Sequence, residues 1–462
     1  MSRRGRQARH GRRGAVGRSA GGRALGKSAG GRALGVALVA IVALAGLAVL
    51  LVSGAGVAGA TTLAATEGPL PSGFTLESAD DENAYIVISG ISCASDSWCV
   101  AVGSGEDSSY AGVPIIYTQS SGSWTAAVAP VPSDGSDGDG ELVSVSCSSE
   151  QQCTAVGIDG AGNAFADTIA GDAGWQASSL TLPGNALSEG SEPELKSVDC
   201  PADGQCVAVG GYKVTGDYYE GLAESLSSGS WTPSEVELPP ATVANPPLTE
   251  SPEDYNWLTA VSCQSLDDCV VVGDYTGSSG DYSSGFGWTS TLSDGGWSTS
   301  SELPVPPGAY TYDGNFDATL EMQGLACPTD GVCLAVGEVQ ISASDDEAAA
   351  TYTLSPSGSP TTTSTSSSST STSTSTSPGS TTSTTSATSS SGGWTASLAT
   401  LPDDANASDD SDLDGVTCTG SPAASCVAVG DYLLAPYLYD QVQYSTLQPL
   451  TTTITESGGT WG

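Results

Sequence analysis

The residues of this 462-residue chain that could carry chemistry are almost all carboxylates. The chain contains 52 acidic residues, 12 basic residues and a single histidine, His10. Ten of the basic residues lie between Arg3 and Arg32, so only Lys196 and Lys213 oppose the 52 carboxylates further on, a formal charge of −50. Because that part has no arginine or histidine, its sequence excludes a Ser-His-Asp triad, histidine-ligated zinc, an arginine clamp for phosphate and a basic surface for nucleic acid.

One acidic segment has the spacing of a metal-binding loop. Asp410, Asp412 and Asp414 alternate along the chain and are followed by Gly415. In calcium loops, carboxylates at alternate positions converge on the ion and a glycine allows the sharp turn. Ser421 stands where an EF-hand has its closing bidentate glutamate, so the match is partial. We expect either a Ca²⁺ site or a solvated acidic loop here, with weaker versions at Asp313–Asp317 and Asp137–Glu141.

The twelve cysteines fall into six pairs, five with five intervening residues and the last with seven. Repeated spacings with none left over predict six disulfides in an exported protein. Zinc is excluded because the spacing is not C-x2-C and no histidine is available. Six equivalent sites also argue against a redox centre. The predicted bridges are Cys93–Cys99, Cys147–Cys153, Cys200–Cys206, Cys263–Cys269, Cys327–Cys333 and Cys418–Cys426.

Each cysteine pair belongs to a repeat that approximates S-C-x5-C-x-A-V-G, with some substitutions and a longer spacing in the last repeat. A Gly-rich turn leading into tryptophan follows each pair. Strand A would end at the first cysteine, strand B begin at the second, strand C follow a loop, and strand D begin at the tryptophan. Four antiparallel strands repeated six times predict an all-β, six-bladed β-propeller, with one disulfide in each blade and an apolar helix before the first. A row of independent β-modules is the alternative. The tryptophans are Trp124, Trp175, Trp231, Trp297, Trp394 and Trp461.

The predicted domain organisation begins with a basic cytoplasmic head at 1–32 and a signal anchor or signal peptide at 33–60. The propeller follows at 61–462, and a disordered Ser/Thr-rich insert interrupts its fifth unit at 360–391. Because the last unit stops at its tryptophan, residues 61–71 are expected to complete that blade and close the ring. The units lie near 72–124, 125–175, 176–231, 232–297, 298–394 and 395–462.

The N-terminal segment predicts export of the rest of the chain. Basic residues precede an uncharged run from Ala33 to Thr66, which orients the body outward by the positive-inside rule. Ala58-Gly59-Ala60 fits a cleavage site, whereas an apolar run near the ~20 residues of a bilayer span fits an uncleaved anchor. We therefore expect either a single-pass membrane protein with its N-terminus inside or a secreted protein, and in both cases a monomer.

The repeat resembles those of exported actinobacterial proteins. The turn before tryptophan is similar to the Asp-box, S-x-D-x-G-x-x-W, of sialidase-like propellers, and Ser293-Asp294-Gly295-Gly296-Trp297 is the best match. The acidic segment ending at Gly415 resembles the D-x-D-x-D-G loops of integrin-type propellers. The resemblance covers residues 61 to 462 and implies the propeller fold. It does not imply sialidase activity, because that family binds the sialate carboxylate with three arginines and this body has none.

The acidic residues concentrate in the loops of one predicted face, where the D-to-A and B-to-C loops of a propeller emerge. This distribution predicts a strongly electronegative face. It fits either adaptation to salty or acidic surroundings or capture of cations or a basic partner. The loops contain Asp80–Glu82, Asp134–Glu141, Glu189–Glu194, Glu250–Asp254, Asp313–Asp317 and Asp403–Asp414, together with Glu106, Asp107, Asp217, Glu220, Asp274, Asp281 and Asp345–Glu347.

Three functions fit these features. The first is a noncatalytic, surface-displayed or secreted propeller that binds divalent cations, a basic protein segment or cell-wall glycan through its acidic face. The second is a carbohydrate-active hydrolase or lyase that uses two carboxylates alone. The third is a structural envelope protein. The Ser/Thr insert is either a neutral expansion or a glycan-bearing spacer.

Overall fold

The structure is a computed structural model in which every described element is a β-strand. Among the described residues no helix is long and apolar enough to cross a membrane. The head at 1–32, the predicted anchor or signal peptide at 33–60 and the predicted apolar helix lie outside them. The structure describes residues 68–72, 74, 86–106, 112–133, 139–171, 174–215, 218–239, 256–279, 282–312, 315–316, 319–329, 331–343, 346–355, 389–391, 393–401, 411–419, 425–433, 437–439, 442–444 and 447–455.

The strands form a six-bladed β-propeller, as the repeat predicts. Blades 1 to 3 are antiparallel sheets of four strands in sequence order. Blade 1 consists of β1 (Ile86–Ser95), β2 (Trp98–Glu106), β3 (Gly112–Ser120) and β4 (Ser123–Val128). Blade 2 consists of β5 (Gly140–Ser149), β6 (Gln152–Asp159), β7 (Ala164–Ala170) and β8 (Trp175–Ser179). Blade 3 consists of β9 (Glu194–Ala202), β10 (Gln205–Lys213), β11 (Tyr219–Ser227) and β12 (Ser230–Val236).

Blades 4 to 6 keep this order with interruptions. Strand D of blade 4 is split into two short pieces, and a hairpin of β18 (Thr311–Tyr312) and β19 (Asn315–Phe316) follows it. Blade 4 consists of β13 (Asn256–Ser265), β14 (Asp268–Ser279), β15 (Tyr282–Ser293), β16 (Gly296–Trp297) and β17 (Ser301–Glu302). Blade 5 consists of β20 (Leu320–Thr329), β21 (Val332–Gln340), β22 (Glu347–Leu354), β23 (Ser389–Ser391) and β24 (Trp394–Leu398). Blade 6 consists of β25 (Gly415–Thr419), β26 (Ser425–Leu433) and β29 (Leu447–Thr455), with a hairpin of β27 (Tyr437–Tyr439) and β28 (Val442–Tyr444) between the last two.

The A strands surround the propeller axis, and the apolar core lies between blades. Strand A of each blade packs against strand A of the next, from β1 and β5 to β20 and β25. Buried side chains of neighbouring blades form shared clusters: Val100 packs with Ala155 between blades 1 and 2, and Val271 with Val209 between blades 3 and 4. A blade therefore buries its apolar residues mainly against its neighbours, as repeat proteins do.

All six predicted disulfides are present, one in each blade. Each joins the end of strand A to the start of strand B, with Cα atoms 4.0–4.1 Å apart. Cys93 and Cys99 lie directly opposite each other in the ladder, as do Cys147 and Cys153. Such bridges are typical of extracellular proteins.

The glycine of the C-x-A-V-G motif is required by a bulge in strand A. In blades 1 to 5, one residue of strand A is inserted without a partner in strand B. The bulge pushes a strand A carbonyl against the motif glycine: a Cβ on Gly157 would lie 1.9 Å from the carbonyl oxygen of Glu141. The corresponding distance at all six glycines is 1.9–2.1 Å, which leaves no room for a side chain. The glycines are Gly103, Gly157, Gly210, Gly273, Gly337 and Gly430.

The serine before the first cysteine joins one blade to the next. The backbone N–H of Cys147 donates to Ser92 Oγ and that of Cys200 to Ser146 Oγ, both at 3.0 Å. The inner edge of strand A would otherwise leave these donors without a strand partner. The same bond recurs at later blades, where Cys263 donates to Asp199 Oδ2 at 2.7 Å and Cys327 to Ser262 Oγ at 3.0 Å.

Two predicted boundaries are only partly covered by the described residues. In the Ser/Thr insert, residues 356–388 lie outside them, whereas Ser389–Ser391, which the prediction placed in the disordered insert, form β23 against β24. In the segment predicted to complete blade 6, residues 61–67 lie outside them. Further on, Phe74 is buried against Ile115 and Tyr117 of blade 1. Completion of blade 6 by residues 61–71 stays a prediction.

Candidate functional site

One residue in each blade lies at an equivalent position near the end of the propeller where strand A begins, within strand A in blades 1 to 5 and just before it in blade 6. This residue carries the carbonyl that contacts the motif glycine. Four of the six are acidic, and the other two are Val87 and Trp257. The acidic members are Glu141, Glu194, Glu321 and Asp412 in blades 2, 3, 5 and 6.

A second set of positions lies beside the first, on strand B, directly after the motif glycine. Blades 1 to 3 have Ser104, Ile158 and Gly211 there, whereas blades 4 to 6 have Asp274, Glu338 and Asp431. Glu338 is paired with Glu321 across the ladder. In blade 6 the Asp431 N–H donates to Asp412 Oδ1 at 2.8 Å. We call the carboxylates of blades 4 to 6 at this end of the propeller the acidic mouth: Asp274, Glu321, Glu338, Glu347, Asp412, Asp414 and Asp431.

Burial and like charges raise the pKa values of several mouth carboxyls. Burial, then Glu321, raises the pKa of Asp274 to about 7, although the Met322 N–H and Lys196 oppose the rise. Burial, then Glu347, Glu321 and Asp412, raises the pKa of Glu338 to about 8. Burial, then Asp412 and Asp414, raises the pKa of Asp431 to about 6. The mouth therefore holds protons near neutral pH, because burial and neighbouring carboxylates disfavour the charged forms.

Both lysines of the body lie in blade 3, at the border of the acidic mouth. Lys196 is the inserted residue of the blade 3 bulge and forms an ion pair with Glu194 at 2.5 Å. Its Nζ lies 5.1 Å from the Trp257 ring centroid. That ring lies 4.6 Å from the ring of Tyr219, on which Lys213 packs at 5.2 Å. The two lysines thus partly neutralise the carboxylates of blade 3. Blades 4 to 6 contain no lysine or arginine that could do the same.

The acidic loops predicted for this face are only partly described. Asp274, Glu347 and the end of the Asp403–Asp414 segment contribute to the mouth. Burial and the neighbouring Glu235 and Glu237 raise the pKa of Glu220 to about 7. The loop residues outside the described residues include Asp80–Glu82, Asp134, Asp137, Asp217, Glu250–Asp254, Asp281, Asp313, Asp317, Asp345 and Asp403–Asp410.

Two of the three predicted calcium residues, Asp412 and Asp414, lie just before strand A of blade 6, which begins at Gly415. Asp412 and Asp414 occupy the positions that Glu321 and Gln323 have in blade 5, and their backbone N–H groups bond to the carbonyls of Asp431 and Val429 at 3.0 and 2.9 Å. Asp410 lies outside the described residues. Among the residues that are described, no group of three or more histidine, cysteine or carboxylate side chains is placed to hold a metal ion.

A cavity lies on the propeller axis, and among the described residues one carboxylate lines it. It measures about 310 Å³ and lies between the A strands of blades 3 to 6. Asp199 lines it and accepts bonds from Ser146 Oγ at 3.3 Å and the Cys263 N–H at 2.7 Å. Burial raises the pKa of Asp199, and these bonds oppose the rise. In the described part of the chain, the paired carboxylates that a glycosidase needs do not line this cavity.

Sequence reasoning placed Asp274 on the acidic face but missed Glu338 and Asp431, although a signal was present. The residue after V-G is Asp274, Glu338 or Asp431 in the last three repeats and uncharged in the first three. The roles of Asp199 and of the lysines in blade 3 had no comparable signal, because they depend on contacts between blades.

No protein-family model matches the sequence, and no curated protein matches it. Among solved structures, AofleA from Arthrobotrys oligospora is 9% identical, with 83% of this chain and 98% of that chain covered and a TM-score of 0.38. The subtype N11 neuraminidase-like protein of A/flat-faced bat/Peru/033/2010 is 12% identical, with 82% and 90% covered and a TM-score of 0.39. The six-bladed β-propeller lectin of Aleuria aurantia is 9% identical, with 82% and 97% covered and a TM-score of 0.35. The function of this chain has to be inferred from its own residues.

Proposed function

We propose that this chain is an extracytoplasmic, noncatalytic binding module that captures a basic protein segment at the acidic mouth. One observation carries the proposal: three consecutive blades place carboxylates at the same repeat positions, and those blades contain no lysine or arginine. The six disulfides support a location outside the cytoplasm.

The electrostatics of the mouth favour a cationic ligand. Like charges opposite each other on paired strands are destabilising, as at Glu321 and Glu338. An opposite charge within ~4–6 Å lowers the pKa of a carboxyl by about 1–3 units. A lysine or arginine that enters the mouth should therefore release protons from Asp274 and Glu338, whose pKa values lie near 7 and 8.

The distribution of the charges favours an extended segment over a single ion. The carboxylates come from three blades, so several basic side chains along one peptide can each meet a different blade. Converging like charges also raise the local potential by several kT and speed the approach of a basic partner.

Titration of the full chain with an oligolysine peptide tests the proposal. We expect binding that weakens steeply with salt and that releases protons, measured by calorimetry at pH 7 in two buffers of different ionisation enthalpy. The triple variant Asp274→Asn, Glu338→Gln and Asp431→Asn should bind at least tenfold more weakly.

A matched control separates this site from the effect of net charge. The variant Asp96→Asn, Asp267→Asn and Asp294→Asn changes the charge equally, on exposed turns at the other end of the strands. It should bind like the wild-type protein. Equal losses in both triple variants would show diffuse attraction and contradict a site at the mouth.

A carboxylate-based hydrolase is the alternative, and one observation favours it. Glu338 holds its proton at neutral pH beside Glu347 and Glu321, as a general acid does. Hydrolysis of a neutral polysaccharide by the wild-type chain, lost in Glu338→Gln, would support this alternative over a noncatalytic role.

Calcium at Asp410, Asp412 and Asp414 is a separate proposal, supported by their alternating spacing. Thermal melts with Ca²⁺ and with EDTA test it. An unchanged midpoint in both would exclude the ion, and Asp414→Asn should abolish any stabilisation by Ca²⁺.

A further inference from the structure

A second cavity lies between blades 2 and 3, near the disulfide turns and thus away from the acidic mouth. It measures about 190 Å³. Its wall from blade 2 includes Gln152, Thr154, Thr168 and Ser178, and its wall from blade 3 includes Leu226 and Trp231. Ser178 is exposed, whereas Thr154 is only 2% exposed, so the cavity reaches from the surface to the buried interface.

The next interface shows the same residue types in a closed arrangement. Ser178 in blade 2 and Ser234 in blade 3 have equivalent places in strand D, opposite Ala166 and Ala223. Between blades 3 and 4, Trp297 Nε1 donates to Ser234 Oγ at 3.2 Å, which joins the two walls. Between blades 2 and 3, the corresponding Trp231 and Ser178 both line the cavity. Equivalent residues therefore bond to each other between blades 3 and 4 but line a cavity between blades 2 and 3, a difference that the repeat alone does not require.

The buried end of the cavity also departs from the repeat. Thr154 follows the second cysteine, where the other five repeats have valine or leucine, as at Val100, Val207 and Leu334. Its hydroxyl lies 3.3 Å from Cys206 Sγ, and sulfur is only a weak hydrogen-bond partner. A buried hydroxyl costs free energy unless it is well bonded, so a threonine here suits a ligand that bonds to it.

The lining defines the chemistry of the occupant. Among the residues that the structure describes, no charged side chain lines the cavity, which argues against both a cation and an anion. Hydroxyls, an amide and an indole surround it instead. A tryptophan offers a broad apolar face with a polar edge, and small-molecule sites combine such surfaces with a few oriented polar groups.

We propose that this cavity binds one ring of a neutral saccharide. The apolar face of the sugar packs on Trp231, and its hydroxyls bond to Thr154, Thr168 and Ser178. The volume is below the roughly 300–1,000 Å³ of sites for drug-sized ligands, so it accommodates a single ring. We expect a ligand of about 12 heavy atoms to bind with a Kd on the order of millimolar.

Saturation-transfer NMR on the full chain tests the site with glucose, galactose, mannose and N-acetylglucosamine as probes. We expect at least one sugar to bind with a millimolar Kd that is insensitive to salt. Thr154→Val, which restores the side chain of the other repeats, should weaken binding about tenfold, and Ser178→Ala about fivefold.

The neighbouring interface supplies the matched control. Ser234→Ala removes the equivalent hydroxyl between blades 3 and 4 and should leave sugar binding unchanged. The absence of binding by all four sugars would overturn the proposal. Wild-type affinity in both Thr154→Val and Ser178→Ala, or an equal loss in Ser234→Ala, would overturn it as well. The triple variant of the acidic mouth should bind sugar normally, which keeps this result independent of the function proposed above.

Discussion

Three carboxyls at one repeat position, Asp274, Glu338 and Asp431, have pKa values of about 7, 8 and 6. Each pKa is higher than that of an exposed carboxyl, first because the group is buried and second because other carboxylates lie near it. At pH 7 the mouth is therefore partly protonated, and its charge changes within the range in which most proteins work.

This titration predicts pH-dependent binding of a basic peptide. Loss of protons makes the mouth more negative as the pH rises from about 6 to 8, whereas lysine, with a pKa near 10.4, keeps its charge. The affinity for oligolysine should increase about tenfold across this range. Fluorescence anisotropy of a labelled peptide measures it, and the variant Asp274→Asn, Glu338→Gln and Asp431→Asn should show a flat profile. A flat profile in the wild-type chain would contradict the assignment of these groups.

The motif glycine gives a second prediction at this scale. In Gly157→Ala the new Cβ would lie 1.9 Å from the Glu141 carbonyl oxygen, so the bulge must move. We expect a loss of about 3 kcal/mol or more in the free energy of unfolding, the size of a severe packing defect.

Gly112→Ala is the control for that substitution, because its Cβ would meet nothing within 4 Å. Denaturant unfolding of both variants should show an effect within about 0.5 kcal/mol for Gly112→Ala, as at an ordinary surface position. Similar losses in the two variants would mean that glycine flexibility, and not the close contact, matters at the motif.

At the scale of the blade, the side chain before the first cysteine joins strand A of one blade to strand A of the next at four junctions. Ser146 Oγ accepts the Cys200 N–H, and Ala326 occupies the same repeat position in blade 5, before the strand that contains Cys418. Alanine has no hydroxyl to offer, so the junction between blades 5 and 6 lacks this side-chain acceptor.

We expect the substitutions Ser146→Ala and Ala326→Ser to have opposite effects on the stability of the protein. Ser146→Ala should destabilise the protein by about 1–2 kcal/mol, because a partly buried N–H loses its partner. Ala326→Ser should stabilise it by about 1 kcal/mol by supplying an acceptor for the Cys418 N–H. Thermal unfolding measures both, with the exposed Ser227→Ala as a control near zero. Destabilisation by Ala326→Ser would show that this hydrogen bond between A strands does not extend to blade 6.

Much of the blade could be predicted from the sequence because its signals are local. Cysteine spacing and the turn before Trp231 specify which strands pair, and the structure confirms the fold and all six bridges. The split strand D after Trp297 was not predicted, nor was the hairpin at Thr311–Phe316, since short insertions leave no periodic pattern.

The candidate site was harder to predict because it depends on geometry between blades. The acidic end was expected from loop composition, and Asp274 and Glu347 belong to it. Glu338 and Glu321 lie within strands, where a charged residue in the sequence indicates only a solvent-exposed face. The bulge in the structure shows that both residues lie at the acidic mouth. The sequence did not distinguish Thr154 from other strand residues. The cavity that Thr154 lines forms only where blade 2 packs against blade 3.

For the whole molecule, two buried carboxyls have the largest expected effect on how stability depends on pH. Asp167 and Glu224 occupy equivalent places on strand C and are 0% exposed, and neither carboxyl has a hydrogen-bond partner among the residues described. Burial raises the pKa of each to about 8. Both side chains are therefore uncharged in a protein folded at neutral pH.

These two groups predict a protein that is most stable in mild acid. Their pKa is near 4 in the unfolded chain, so between pH 4 and 8 the folded state binds more protons. Stability should therefore fall as the pH rises, by up to roughly 1.4 kcal/mol per pH unit for each group. Melting temperatures from pH 4 to 9 test this. The variant Asp167→Asn and Glu224→Gln should flatten the decline, whereas the exposed Asp96→Asn should not. A wild-type midpoint that does not fall with pH would contradict it.

Every sulfur bridge lies within a single hairpin, so no covalent link other than the backbone holds one blade to the next. A protease that cuts once between two blades would yield a particle that still looks intact by gel filtration under native conditions. The same sample would separate into two fragments on a denaturing gel without any reductant. Noncovalent packing between blades is therefore what holds a cut propeller together, and the fragments separate once that packing is lost even though every disulfide survives.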